Sequence, residues 1–137
     1  MLTYSRTIRI EFGDCDPAGI VYFPRYLVWF DNNTVGLFEL AGVPLRERLM
    51  SLEIIGIPMV DVRAKFFLPS TFGDEITIET TIREFRRSSF DVYHRLFNRG
   101  EMAAEGFETR VWAGRHPELP ERLKSRPIPK DLIARFQ

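Results

Sequence analysis

Between Pro24 and Ala41, apolar side chains fall at Leu27, Phe30, Leu37, Phe38 and Ala41, with Thr34 on the same spacing. Val28, Trp29, Val35 and Leu40 fill the remaining sides. A helix that is apolar nearly all round is expected to be buried, so the rest of the chain must supply a layer that wraps it. Pro24 suits the first helical turn, Gly42 suits the position just past the last turn, and Pro44 blocks continuation. Leu45 to Leu52 reads as a short second helix.

The wrapping layer reads as strands. Tyr4, Arg6, Ile8 and Ile10 alternate with Ser5, Thr7, Arg9 and Glu11 before the helix. After it, period two appears at Val60–Phe66, Ile76–Ile82, Phe90–Leu96 and Ala103–Val111, the last read with Ala103, Glu105, Phe107, Thr109 and Val111 in one phase. Gly73-Asp74 and Asn98-Arg99-Gly100 mark turns. Consecutive strands with short links pair antiparallel, so the expected architecture is α+β, a curved antiparallel sheet around one long central helix. The tail from Arg115 carries four prolines and is expected to wrap the surface, with a short helix near Lys130 to Phe136. With 137 residues and no visible linker, the whole span 1–137 is expected to be one domain, 115–137 being the tail.

Composition excludes several roles. Formal net charge is +0, from 19 basic and 19 acidic residues, which argues against nucleic acid as a partner. No apolar run is long enough to cross a membrane, and the N-terminus lacks the pattern of a signal peptide. The single cysteine, Cys15, forms no internal disulfide, which points to a reduced cytoplasmic setting. There is no G-x-S-x-G elbow, no P-loop and no dinucleotide-type glycine pattern, and no cluster with metal-ligand spacing, so neither a metal nor a cofactor is expected.

The chemistry concentrates in Glu11–Pro24, a Gly- and Pro-rich loop running into the long helix. Asp16 has two readings: a carboxylate that attacks a carbonyl or activates water, or a loop residue capping its own turn. Phe23 has two compatible roles, its backbone N–H lying at the positive helix end and its ring serving as a hydrophobic staple. Asp14 is read as a structural loop residue, and Cys15 as a buried inert thiol, because His94 and His116 are both distant in sequence. His94 shares a face with Phe90, Val92 and Leu96 and reads as a satisfied core histidine. Asp31, in the first two turns of a buried helix, needs a partner, which could be a substrate hydroxyl, a subunit interface or an arginine. Arg86-Arg87-Ser88-Ser89 falls between two strands, either as a solvated hairpin or as a phosphate site. Lys124, between Arg122 and Arg126 in the tail, is a weaker phosphate candidate.

Two motifs and the element order resemble a known family. Ile10-Glu11-Phe12-Gly13-Asp14-Cys15-Asp16-Pro17-Ala18-Gly19-Ile20-Val21 is similar, almost letter for letter, to the active-site loop of the 4-hydroxybenzoyl-coenzyme A thioesterases, which have the hot-dog fold. Phe85-Arg86-Arg87-Ser88-Ser89-Phe90 resembles a second landmark, with Ser88 in place of that family's lysine. The resemblance covers about Arg6 to Val111 and implies an acyl-CoA thioesterase that cleaves a thioester with water and needs no cofactor beyond the substrate's own coenzyme. It implies Asp16 as the catalytic carboxylate and the Phe23 N–H as the group polarising the carbonyl. Asp31 and Tyr22 would contact the acyl group, and Arg86, Arg87, Ser88, Ser89 and Lys124 would contact coenzyme A. An aryl acyl group such as hydroxybenzoyl or benzoyl is favoured, with a short or medium aliphatic acyl group, or non-hydrolytic binding of acyl-CoA or acyl carrier protein, as the alternatives. The family also implies a homo-oligomer, hot-dog dimers joined edge to edge and assembling into tetramers, with active sites drawing on two chains. The related hot-dog dehydratases rely on a histidine that this loop and helix lack.

Overall fold

The computed structural model describes residues 1–51 and 53–137. The long helix α1 spans Pro24–Leu40 and a one-and-a-half-turn helix α2 spans Leu45–Met50; Leu52, the expected end of α2, lies outside the described residues. Five strands, β1 (Thr3–Arg9), β2 (Met59–Phe66), β3 (Glu75–Phe85), β4 (Ser89–Asn98) and β5 (Glu101–Val111), form one antiparallel sheet in the order β1-β3-β4-β5-β2. β2 therefore does not pair with its successor, as short links would suggest. It crosses to the far edge and pairs with β5, while β1 takes the place beside β3.

α1 lies against one face of this sheet. Tyr26, Trp29, Phe30, Leu37 and Phe38 are buried beneath it, as are Ile76, Ile78 and Ile82 of β3 and Phe90, Val92 and Leu96 of β4. The helix is not buried all round, however: Val28, Val35 and Leu40 are 48%, 37% and 53% exposed. One face meets the sheet and the opposite one carries apolar groups to the surface. The edge strand β2 is similar, with Val60 and Val62 exposed.

The inward phase of β5 is the reverse of that expected. Ala104, Gly106, Glu108 and Arg110 point inward, and Glu105, Phe107 and Thr109 lie on the half-exposed outer face. The cause is a register irregularity opposite Leu96 and Phe97, where Ala103 and Ala104 are both buried and the alternation slips by one. Phe107 made the wrong face look apolar; it lies under Arg63, whose guanidinium is 4.5 Å from the ring centroid.

The tail divides into two parts. Ala113–Arg115 and Leu123–Ser125 form a small two-stranded ribbon, β6 and β7, and the residues between them are mostly exposed, as a surface-wrapping tail requires. Its end does not stay on the surface: Ile128, Leu132 and Phe136 pack into the core beside Phe38 and Phe90, with helix α3 at Lys130–Ala134.

Candidate active site

The loop Glu11–Pro24 is built by short-range hydrogen bonds. Phe12–Asp14 makes one 3₁₀ turn, in which the Glu11 N–H donates to Asp14 Oδ2 at 2.8 Å. The other Asp14 oxygen meets Arg25 Nε at 3.5 Å. Asp14 is thus the structural residue of the pair. Beyond it, Cys15 and Val21 form an antiparallel bridge, the Asp16 N–H donates to Ile20 O at 2.9 Å, and the Gly19 N–H returns to Asp16 O at 2.9 Å. Asp16-Pro17-Ala18-Gly19 is therefore a tight turn with Pro at its second position, and Gly19 at φ 84° occupies the left-handed region that favours glycine. Asp16 Oδ1 accepts the Ala18 N–H at 2.9 Å. The turn-capping role is real, yet it uses one oxygen only. The other has no partner, and no cation pairs with Asp16 among the described residues.

The start of α1 leaves one donor uncommitted. Tyr22 N–H donates to Asp14 O at 2.9 Å, Arg25 N–H to Tyr22 O at 2.9 Å and Tyr26 N–H to Phe23 O at 3.1 Å, while Pro24 has no N–H. The Phe23 N–H has no acceptor among the described residues. Phe23 is 61% exposed and its ring packs edge-on against that of exposed Tyr22, so it is not a staple within this chain. The loop is braced from outside, where Val21 N–H donates to Ser70 O at 2.9 Å, Thr71 Oγ1 donates to Gly19 O at 2.9 Å and Asn98 Nδ2 donates to Ser70 Oγ at 3.0 Å. Cys15 is half-buried rather than buried, and neither histidine reaches it: His94 bonds Thr80 and Glu108, and His116 Nδ1 accepts the Glu118 and Leu119 N–H groups.

A cavity of about 770 Å³ opens along α1, between that helix, α2 and residues 55–58. That volume suits a small-molecule site. Val35, Leu45, Leu49, Met50, Ile57 and Leu123 give it apolar walls, and its charged members are Asp31, Arg46 and Arg110. Asp31 stands eight residues beyond Phe23, about 12 Å along the helix axis. Its partner is an arginine, one of the options the sequence left open: Arg110 Nη2 donates to Asp31 Oδ1 at 2.6 Å. Arg110 is itself buried and bonded to Glu108, which continues to His94, Thr80 and Asn33 inside the core. With β5 in the expected phase Glu108 and Arg110 read as surface charges; two charges alternating with Gly106 opposite His94 are the signal the sequence holds for them. Gly106 is required there, since a Cβ would sit 2.6 Å from the Phe30 ring that stacks on His94.

The model of the thioesterase-like superfamily matches residues 10–136. The chain belongs to the thioesterase-like superfamily. It is 38% identical over 131 residues to a 4-hydroxybenzoyl-CoA thioesterase of Pseudomonas sp. strain CBS-3, covering 91% of each chain. It is 32% identical over 101 residues to a 1,4-dihydroxy-2-naphthoyl-CoA hydrolase of Crocosphaera subtropica, covering 74% of this chain and 72% of the relative. The structure superposes with a TM-score of 0.91, at 34% identity and over 100% of both chains, on an Asp-to-Asn mutant of 4-hydroxybenzoyl-CoA thioesterase in complex with 4-hydroxybenzoyl-CoA. The five-stranded sheet and single long helix are the hot-dog fold of these thioesterases.

In this thioesterase-like chain the candidate coenzyme A residues do not meet the Asp16 loop. Arg86 to Ser89 form the tip between β3 and β4, while the loop is anchored at the opposite end of β3, whose 11 residues span about 33 Å. The two arginines also differ. Arg86 is held by Asp91 through two hydrogen bonds, of 2.6 and 3.0 Å, and by Ser89 Oγ at 2.9 Å, and it holds the Asp91 carboxyl below the usual range. Arg87 is exposed, and its side chain has no partner among the described residues. The tip is tied to the tail by Trp112 N–H to Ser88 O and Ile128 N–H to Arg87 O, both 2.8 Å, and the adjoining ribbon carries Lys124.

Proposed function

We propose that this protein is an acyl-CoA thioesterase acting on aryl-CoA substrates with a phenolic hydroxyl, of the 4-hydroxybenzoyl-CoA kind. The observation that carries this reading is the pairing, on one hydrogen-bonded loop, of an Asp16 carboxylate that meets no cation with a Phe23 N–H that meets no acceptor among the described residues. The thioester carbonyl oxygen takes the Phe23 N–H, where the helix end favours the negative charge that develops. Asp16 acts by attacking the carbonyl carbon to give a mixed anhydride, or by taking a proton from the attacking water; both routes need an ionised, uncompensated carboxylate. The coenzyme A thiolate leaves and is protonated, and water supplies the oxygen of the free acid. The reaction so written uses no cofactor.

The acyl group would extend from Phe23 toward Asp31. The distance of about 12 Å suits a benzoyl ring with a para substituent and a hydrogen bond at each end. Exposed Tyr22 lines the approach. An aliphatic acyl group would fill the apolar walls but give no donor to the Asp31 oxygen that Arg110 does not hold, which counts against it. For the nucleotide end, Arg87 with Ser88, Ser89 and Lys124 is the better phosphate site, since Arg86 is committed to Asp91. Because the β3–β4 tip lies far from the Asp16 loop of its own chain, the coenzyme A contacts are assigned to another subunit of a homo-oligomer. The exposed apolar edge β2, with Val60 at 62% and Phe67 at 51% exposed beside it, supports edge-to-edge dimers, and the apolar outer face of α1 leaves room for a tetramer. No helix among the described residues is long and apolar enough to cross a membrane. A cytoplasmic setting completes the proposal, on the single free cysteine.

The test is thiol release, read with a thiol reagent, from 4-hydroxybenzoyl-, benzoyl-, acetyl- and octanoyl-CoA. The highest kcat/KM is expected with 4-hydroxybenzoyl-CoA; no release from any of the four would leave a non-hydrolytic acyl-CoA binder.

A further inference from the structure

A hydrogen-bonded chain of side chains runs through the core behind the cavity wall. Thr80 Oγ1 accepts Asn33 Nδ2 at 2.9 Å and lies 2.7 Å from His94 Nδ1. On the other side of the ring, His94 Nε2 meets Glu108 Oε2 at 3.0 Å. Glu108 Oε1 accepts Arg110 Nε at 3.0 Å. Arg110 then gives Nη1 to Ile57 O at 3.2 Å and Nη2 to Asp31 Oδ1 at 2.6 Å. Both ring nitrogens of His94, both Glu108 oxygens and all three Arg110 nitrogens thus have a partner. Burial alone would push the Glu108 carboxyl up, but the His94 bond and the Arg110 charge outweigh it and hold it below the usual range.

The Glu108 and Arg110 side chains are 0% and 6% exposed. Burying two charges is a poor way merely to fill space, because desolvation cancels much of their attraction. What this arrangement does is mechanical. One planar guanidinium, unable to turn, joins three walls of the cavity: α1 through Asp31, β5 through Glu108, and the loop at Ile57. Asp31, whose side chain is 57% exposed, would otherwise turn freely. Arg110 takes one of its oxygens; the other makes no hydrogen bond among the described residues, and Asp31 lines the cavity. Arg46, the remaining charged group of the cavity wall, makes no ion pair with Asp31 among the described residues.

We propose that Arg110, fixed from behind by Glu108 and His94, is a positioning residue that presents Asp31 as a rigid hydrogen-bond acceptor, so that the cavity selects acyl groups bearing a hydroxyl donor at their far end. A fixed, charged acceptor rejects the unsubstituted ring more strongly than apolar walls reject the wrong size, because the ring desolvates the carboxylate and gives nothing back. The proposal rests on the aryl-CoA reading above, and its test separates the two.

The probes are the ketone analogues 4-hydroxyphenacyl-CoA and phenacyl-CoA, in which a methylene between carbonyl and sulfur prevents hydrolysis, so affinity is measured without turnover. Wild-type protein should bind the hydroxylated analogue at least about tenfold more tightly, the worth of one hydrogen bond to a charged group. Asp31→Ala should lose that preference. The double variant Glu108→Gln with Arg110→Met removes both buried charges together and strands neither; it should bring the ratio to within about threefold. Glu108→Gln alone keeps the core's shape and withdraws one acceptor from Arg110 or His94, so its ratio should fall part-way, and it serves if the double variant does not fold. A folded double variant, or Glu108→Gln, with the wild-type ratio overturns the positioning role and leaves the aryl-CoA reading standing. Equal binding of both analogues by wild type overturns the selectivity but not the thioesterase reading. Binding of neither overturns both.

Discussion

Two carboxylates flank the first half of α1, and they are held in opposite ways. Asp16 gives one oxygen to the Ala18 N–H of its own turn and meets no cation among the described residues. Asp31 is gripped at 2.6 Å by a buried arginine that is itself anchored to Glu108. The first arrangement fixes where the carboxylate sits and leaves its charge unspent, as a nucleophile or base requires. The second neutralises much of the charge and fixes direction, as recognition requires. The same contrast recurs at the β3–β4 tip, where Arg86 is spent on Asp91 and the Arg87 side chain has no partner among the described residues. On the proposed reading, groups without a partner among the described residues are left for the substrate's reacting and ionic parts, and groups with partners set position.

That contrast can be broken first at the helix start. Phe23 has φ −54° and ψ −33°, a backbone that proline tolerates, so Phe23→Pro deletes the uncommitted N–H with little rearrangement. It should lower kcat by about 10²–10³-fold, the usual cost of one oxyanion donor. Phe23→Ala keeps the N–H and should stay within a few-fold of wild type. Equal losses in the two variants, measured by steady-state thiol release, would mean that the ring matters and the amide does not.

A smaller effect sharpens the comparison at the tip. Arg87→Ala should raise KM for coenzyme A thioesters by about three- to tenfold with kcat nearly unchanged, since a contact remote from the scissile bond persists into the transition state. The same change should leave KM for the truncated pantetheine thioester alone. Arg86→Ala should move KM less and instead lower stability by about 1 kcal/mol or less, as expected for a partly exposed ion pair. Thermal melts and Michaelis curves of both variants, with both thioesters, decide which arginine reaches the nucleotide.

The parts of the molecule differ in how far the chain alone reveals them. The Asp16 turn was legible because its bonds join residues two to four apart, so Asp-Pro-Ala-Gly states its own geometry. The strands β3 and β4 were legible because their inward residues are apolar at strict alternation. The outer surface of α1 was not, because Val28, Val35 and Leu40 look like core residues although this chain leaves them exposed. The Asp31–Arg110 contact spans 79 residues and depends on the slip in β5 at Ala103–Ala104. No local pattern encodes that slip, and with the phase reversed Glu108 and Arg110 read as surface charges. The crossing of β2 to the far side of β5 likewise follows from covering α1, not from the length of any link.

The division of labour between the two carboxylates is tested most directly by Asp16→Asn and Asp31→Asn side by side, with kcat/KM for 4-hydroxybenzoyl-CoA and benzoyl-CoA measured for each. Asp16→Asn should lower turnover of both substrates by at least about 10²-fold, in keeping with the loss of a general base or nucleophile, and leave their ratio unchanged. Asp31→Asn should keep turnover of benzoyl-CoA and shrink the advantage of the hydroxylated substrate. Near-full activity in Asp16→Asn, or an equal loss of turnover on both substrates in the two variants, would contradict the account.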